Sequence, residues 1–199
     1  MIYARIERLQ THINTLTALK RNHYLPGTDS REDDTSHAYS VALIAWQLNE
    51  AVGAGLDDAK LLKYALIHDF VEVHAGDVCA FASPEARRQK EIDEAAALER
   101  LREEYADAPD FIAAIDAYQA HEDDTVVFVW SCDKMQALLQ GQLDNWRCYY
   151  ELGITDEQFA AKIAEQRPRI HPALLEFYDE FCASCIATYH YEASQDTLF

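Results

Sequence analysis

Glycine and proline are scarce in this sequence, six and five among 199 residues. That shortage argues against an all-β protein, whose many turns need both, and against a disordered chain. No run of about 18 apolar residues exists, so no transmembrane helix is expected. There is also no apolar N-terminal stretch of the signal-peptide kind. Cysteines are few and odd in number, at Cys79, Cys132, Cys148, Cys182 and Cys185. Reduced thiols in a cytoplasmic protein are the expectation. Basic residues are outnumbered, 17 Lys and Arg against 35 Asp and Glu, for a formal net charge of −18. Such a surface repels phosphate backbones and anionic lipid, so neither duplex nucleic acid nor a membrane is an expected partner. A small anionic substrate stays open, because a metal ion and a few local cations can reverse the field inside a site. P-loop and Gly-rich dinucleotide fingerprints are missing too.

What is present is helical periodicity. Ile2, Ile6, Leu9, Ile13, Leu16 and Leu19 recur every three or four residues and predict a helix over 2–20. Residues 22–34 hold Pro26 and Gly27 among polar residues and read as a loop. Asp34, Thr35 or Ser36 caps a helix to about Ala51, and Asp57 or Asp58 caps another to about His74. A charged helix follows Pro84 to about Tyr105. Further helices are expected over 109–121, 124–141, 156–166 and 171–189, with a loose tail after Tyr191. Val126–Trp130 is the one strand candidate, and its neighbours favour helix. The expected fold is all-α, a compact single-domain helical bundle over residues 1–199.

The chemistry lies on three of these helices. In Leu61–Glu72, the residues Leu61, Leu62, Ala65, His68, Asp69 and Glu72 share a face that begins apolar and ends in His, Asp and Glu. His37 shares the apolar face of Val41, Ile44, Ala45 and Leu48. Asp133 shares that of Val126, Val129, Trp130 and Ala137. Each residue alone reads as a core histidine or a solvated helix end. Together they aim two imidazoles and two carboxylates at one interior. A buried carboxylate needs a partner or a metal. That donor set suits one divalent transition ion (Co, Mn, Zn or Fe) better than Mg or Ca.

The ordered series Ser36-His37-Ala38-Tyr39-Ser40-Val41-Ala42, His68-Asp69-Phe70-Val71-Glu72-Val73-His74-Ala75-Gly76-Asp77 and Cys132-Asp133-Lys134-Met135 resembles the HD-domain phosphohydrolases. Within them it is similar to the YfbR-like 5′-deoxynucleotidase branch, through His-Asp-x-x-Glu-x-x-x-Gly-Asp. The resemblance implies an all-α HD-type fold and one divalent ion held by His37, His68, Asp69 and Asp133. It implies Glu72 as the acid/base and Asp77 as a polar group beside substrate. The implied reaction is hydrolysis of the phosphomonoester of (deoxy)nucleoside 5′-monophosphates. The metal-site core would then occupy about 30–145, with helices of 150–190 packed on it, and a homodimer is admitted.

This sequence departs from the pattern in two places. Relatives carry Glu before the first histidine, where Ser36 stands here. The branch's Arg-Trp pair upstream is replaced by Lys20-Arg21-Asn22-His23-Tyr24, which has no Trp. Arg21 is then the candidate phosphate clamp, with Lys20, Arg31 and His74 as further substrate-side groups. Two other readings stand beside the main one: a dNTP triphosphohydrolase, which uses similar ligands, and a non-catalytic metal-binding protein that kept the fold. Three remaining motifs read as structural. Cys182-Ala183-Ser184-Cys185 is a lone CxxC in an apolar helix, read as packing. Arg87-Arg88-Gln89-Lys90-Glu91 reads as an exposed charged face, and His121-Glu122-Asp123-Asp124 as a solvated turn.

Overall fold

The computed structural model describes residues 2–121 and 123–190. The expected tail after Tyr191 lies outside them. Ten α-helices and one two-stranded sheet are found among the described residues. In order they are α1 (Ile2–Ala18), β1 (Lys20–Tyr24), β2 (Arg31–Asp33), α2 (Asp34–Ala51), α3 (Asp58–Ile67), α4 (Glu72–Ala75), α5 (Pro84–Glu104), α6 (Pro109–Ala120), α7 (Asp124–Leu143), α8 (Arg147–Glu151), α9 (Asp156–Gln166) and α10 (Leu175–Thr188). None of these helices is long and apolar enough to cross a membrane. The all-α expectation holds, and Val126–Trp130 is helical, inside α7.

Caps set the helices that matter. The Asp33 side chain accepts from the Ser36 amide at 2.8 Å and starts α2, so His37 stands one turn in. Asp57 caps α3 through the Lys60 amide, and Asp123 caps α7 through the Thr125 amide.

Two expectations are corrected. Residues 22–34 do not form a simple loop. β1 and β2 pair antiparallel, Lys20 opposite Asp33 and Tyr24 opposite Arg31, around a turn where Gly27 takes φ +75°. The hairpin escapes notice because its inward residues, Arg21 and Glu32, are charged rather than apolar. The helix expected to continue to His74 stops at Ile67. The amides of Phe70 and Glu72 bond the carbonyls of Ile67 and Asp69, three residues back, before α4 begins. The tight turn places Phe70, Val71 and Val73 in a core shared with Leu16, Ala97, Leu101 and Tyr105.

A larger core joins α2, α3 and α7 to the C-terminal helices through Val41, Leu61, Phe128, Phe159, Leu174 and Tyr178. Cys182 and Cys185 are free thiols buried in that core. Gly141 lets α7 meet the following segment: a Cβ there would stand 2.5 Å from the Tyr149 ring.

Candidate metal centre and its cleft

His37 from α2, His68 and Asp69 from the turn after α3, and Asp133 from the middle of α7 converge where the two cores meet. His37 and His68 are buried, with ring centroids 5.1 Å apart. His37 Nε2 lies 3.0 Å from Asp133 Oδ1 and 3.6 Å from Asp69 Oδ2. His68 Nε2 lies 3.0 Å from Asp69 Oδ2 and 4.0 Å from Asp133 Oδ1.

The opposite ring nitrogens fix the tautomers. His37 Nδ1 donates to Gln136 Oε1 at 2.8 Å, while the Gln136 amide donates to the buried Glu32 at 2.8 Å. His68 Nδ1 donates to the Ala65 carbonyl at 2.8 Å. Both Nε2 lone pairs are therefore turned to the centre, as metal-ligating histidines are held. His68 Nε2 is buried and makes no aligned hydrogen bond. An orphaned nitrogen among carboxylates is what a cation would satisfy. His37, His68 and Asp69 offer donor atoms all within 4.8 Å of one another, a group that could hold an ion, and Asp133 stands at its edge.

The charges agree with that reading. Burial would lower the His68 imidazole, but the Asp69 and Asp133 carboxylates outweigh it and raise it, so a proton is drawn to where a cation would sit. Burial would raise the Asp69 carboxyl, yet His68 and the Arg21 guanidinium hold it well below the usual range. Arg21 Nη1 donates to Asp69 Oδ2 at 3.1 Å, and Lys134 Nζ donates to Asp133 Oδ2 at 2.6 Å.

Glu72 opens α4 and is buried. Its Oε1 accepts from Lys90 Nζ at 2.9 Å, while Oε2 has no hydrogen-bond partner. Burial and the nearby Asp69 charge push its carboxyl up to about 9, against the pull of Lys90. Positive charge added beside Asp69 would bring it back down.

A cleft of about 450 Å³ opens over the cluster. Arg21, Asp69, Glu72, Asp77 and Asp133 line its inner end, with Lys90 and Lys134 beside them. Phe81, Trp130, Tyr149 and Phe159 give it aromatic walls, and Arg87, Lys162 and Arg169 add cations.

Asp77, expected beside substrate, lines this cleft, and of the candidate substrate-side groups Arg21, Lys20, Arg31 and His74 only Arg21 does. Lys20 Nζ turns to the Thr17 carbonyl and Asp33 instead. Arg31 donates to the Asn22 carbonyl and the Tyr24 hydroxyl. His74 faces Glu104 at 2.9 Å. These three are not brought to the site.

Several residues were missed from the sequence. Lys90, assigned to an exposed face, holds Glu72. Gln136 orients His37, and its signal was its place on the Asp133 face of α7, one turn on. Glu32, Asp34 and the α9 residues gave no signal. Asp34 is buried at the start of α2, 3.6 Å from Arg21, and neither of its oxygens makes a hydrogen bond. Burial pushes it up to about 7, offset in part by Arg21.

Residues 13–175 match the HD domain. The chain belongs to the HD-domain family. Its His-Asp pair is His68-Asp69, at the turn that closes α3. The HD fold is shared with three solved structures. A Magnetospirillum magnetotacticum protein described as a "Predicted metal-dependent phosphohydrolase" is 24% identical, with a TM-score of 0.76 over 94% of this chain and 96% of its own. A Pyrococcus horikoshii protein is 23% identical, with a TM-score of 0.60 over 92% and 99%. A Pyrococcus furiosus protein, described as a conserved hypothetical protein, is 20% identical, with a TM-score of 0.57 over 92% and 99%. No curated protein matches this HD-domain sequence.

Proposed function

We propose that this HD-domain protein is a metal-dependent phosphohydrolase that cleaves the phosphomonoester of (deoxy)nucleoside 5′-monophosphates. The observation that carries the reading is the convergence of two oriented Nε2 atoms and two carboxylates at the floor of a cleft that also holds Glu72 and Arg21. The description of the M. magnetotacticum structure supports the hydrolase class.

His37, His68, Asp69 and Asp133 would hold one divalent transition ion. Such an ion, when bound, supplies Lewis-acid stabilisation of phosphoryl charge and lowers the pKa of water. The chain's own groups do the remainder. Arg21 and Lys134, each already beside a ligand carboxylate, offset the charge of a phosphate entering the inner end. Glu72 Oε2, unpartnered and buried, is placed to take a proton from the attacking water. Burial and Asp69 raise this carboxyl, and Lys90 on its other oxygen, together with the positive charge of an ion beside Asp69, favours the ionised form that this requires. Phe81, Trp130 and Tyr149 line the cleft and offer apolar surface to a flat base. A volume of about 450 Å³ falls within the usual range for small-molecule sites, roughly 300–1,000 Å³.

The test is a metal-supplemented screen of nucleoside mono-, di- and triphosphates with product analysis, run beside Asp69→Ala. Inorganic phosphate from monophosphates, lost in the variant, is expected. Triphosphate or pyrophosphate as product would move the assignment to a triphosphohydrolase. A bound ion without turnover on any nucleotide would leave a binding protein.

A further inference from the structure

The helix that places Glu72 in the cleft also carries His74 into a second cluster. His74 Nε2 lies 2.9 Å from Glu104 Oε2, and His12 Nε2, from α1, lies 3.4 Å from the same oxygen. The two rings meet edge to face with centroids 5.2 Å apart. The two nitrogens and the oxygen lie within 4.8 Å of one another. Two of the three donors are held from behind. His12 Nδ1 lies 3.0 Å from the hydroxyl of the buried Tyr105, so when it donates there Nε2 is left as a lone pair facing the cluster. The other Glu104 oxygen, Oε1, accepts from Arg100 Nε at 2.8 Å, which turns Oε2 toward the imidazoles. The cluster is less enclosed than the main centre: the side chains of His12, His74 and Glu104 keep 11%, 11% and 24% of their exposure, so water can complete the coordination. Arg100 and Arg8, whose guanidinium lies 4.5 Å from the Tyr105 ring centroid, are the neighbouring positive charges that work against a cation.

Two imidazoles and one carboxylate on three different elements, with an open fourth position, make a zinc-type donor set. We propose that His12, His74 and Glu104 form a second divalent transition-metal site, distinct from the His37/His68 centre, which ties α4 to α1 and α5. Nothing in this proposal depends on the substrate or on turnover. Its consequence for the main site is mechanical: α4 has four residues, and a tie at His74 steadies Glu72 two residues before it.

The experiment counts ions. Full-length protein is stripped with chelator, reloaded with zinc alone, desalted and analysed for zinc per chain by mass spectrometry. The same is done for H74N, E104Q and D69A, with circular dichroism checked first. Two ions per native chain and one in H74N and E104Q are expected. D69A should keep the ion at His12, His74 and Glu104, which separates this proposal from the fate of the main centre. E104Q retains the shape of the side chain and decides the matter if H74N fails to fold. One ion per native chain that H74N and E104Q keep, or two retained in both of those variants, overturns the proposal.

Discussion

The two histidine–carboxylate clusters reached from the segment 68–74 use the same donor types and differ in their surroundings. At the main centre both histidines are buried, their outer nitrogens are committed to Gln136 and the Ala65 carbonyl, and one inner nitrogen has no partner. At the second, His12 is buried but His74 and Glu104 are only partly so, and Glu104 is already paired with Arg100. Without an ion, the first centre leaves the buried His68 Nε2 without a hydrogen-bond partner, even though Arg21 and Lys134 pair with its carboxylates. Enclosure therefore makes the first centre costly when bare and selective for a cation. The second is an optional tie. The first also faces a cleft lined by Glu72, one of whose carboxylate oxygens has no hydrogen-bond partner, which gives it chemistry to do.

The sharpest way to break this contrast is Glu72→Gln. It should lower kcat by about 10²–10⁴ and leave the metal content unchanged, because Glu72 moves a proton rather than holding the ion. Steady-state kinetics with metal analysis check both halves, and full activity would remove Glu72 from the mechanism.

Gln136→Leu tests whether enclosure and orientation make the first centre. Loss of the partner to His37 Nδ1 should weaken metal binding there by about 10–100-fold, measured by chelator competition, with the second cluster unaffected. Equal affinity would show that His37 needs no orienting group.

Asp34 gives the smallest effect. Its buried carboxyl is raised to about 7, above its unfolded value near 3.9, so the native state favours the neutral acid. The stability this contributes is full below about pH 4 and is lost as pH rises through about 7. Asp34→Asn should therefore be more stable than the native chain by about 1–3 kcal/mol at pH 8, the loss of Arg21's partner limiting the gain. The two should be alike below pH 4. Urea melts at both pH values decide it, and equal stability at pH 8 would show that no buried charge was relieved.

Much of the fold was legible because amphipathic spacing and caps are local signals. Asp57 and Pro84 began helices where the sequence put them. His37, His68, Asp69 and Asp133 could be singled out because each is a polar residue on an apolar stripe. The break at Ile67 was hidden because it goes with the packing of Phe70, Val71 and Val73 against α1 and α5, a tertiary effect that periodicity does not register. The hairpin was hidden for the opposite reason: its inward residues are charged, so alternation reads as loop. Lys90 looked like part of a solvated face because nothing local says that the buried Glu72 lies across from it. The cleft walls from Phe159, Lys162 and Arg169 depend on how the last helices return to α7.

The most direct measurement is a crystal structure of the metal-loaded protein with anomalous scattering recorded at the metal edge. The account requires a peak about 2.0–2.2 Å from His37 Nε2, His68 Nε2 and one oxygen each of Asp69 and Asp133. An ion bound elsewhere with these four side chains uncoordinated would contradict it.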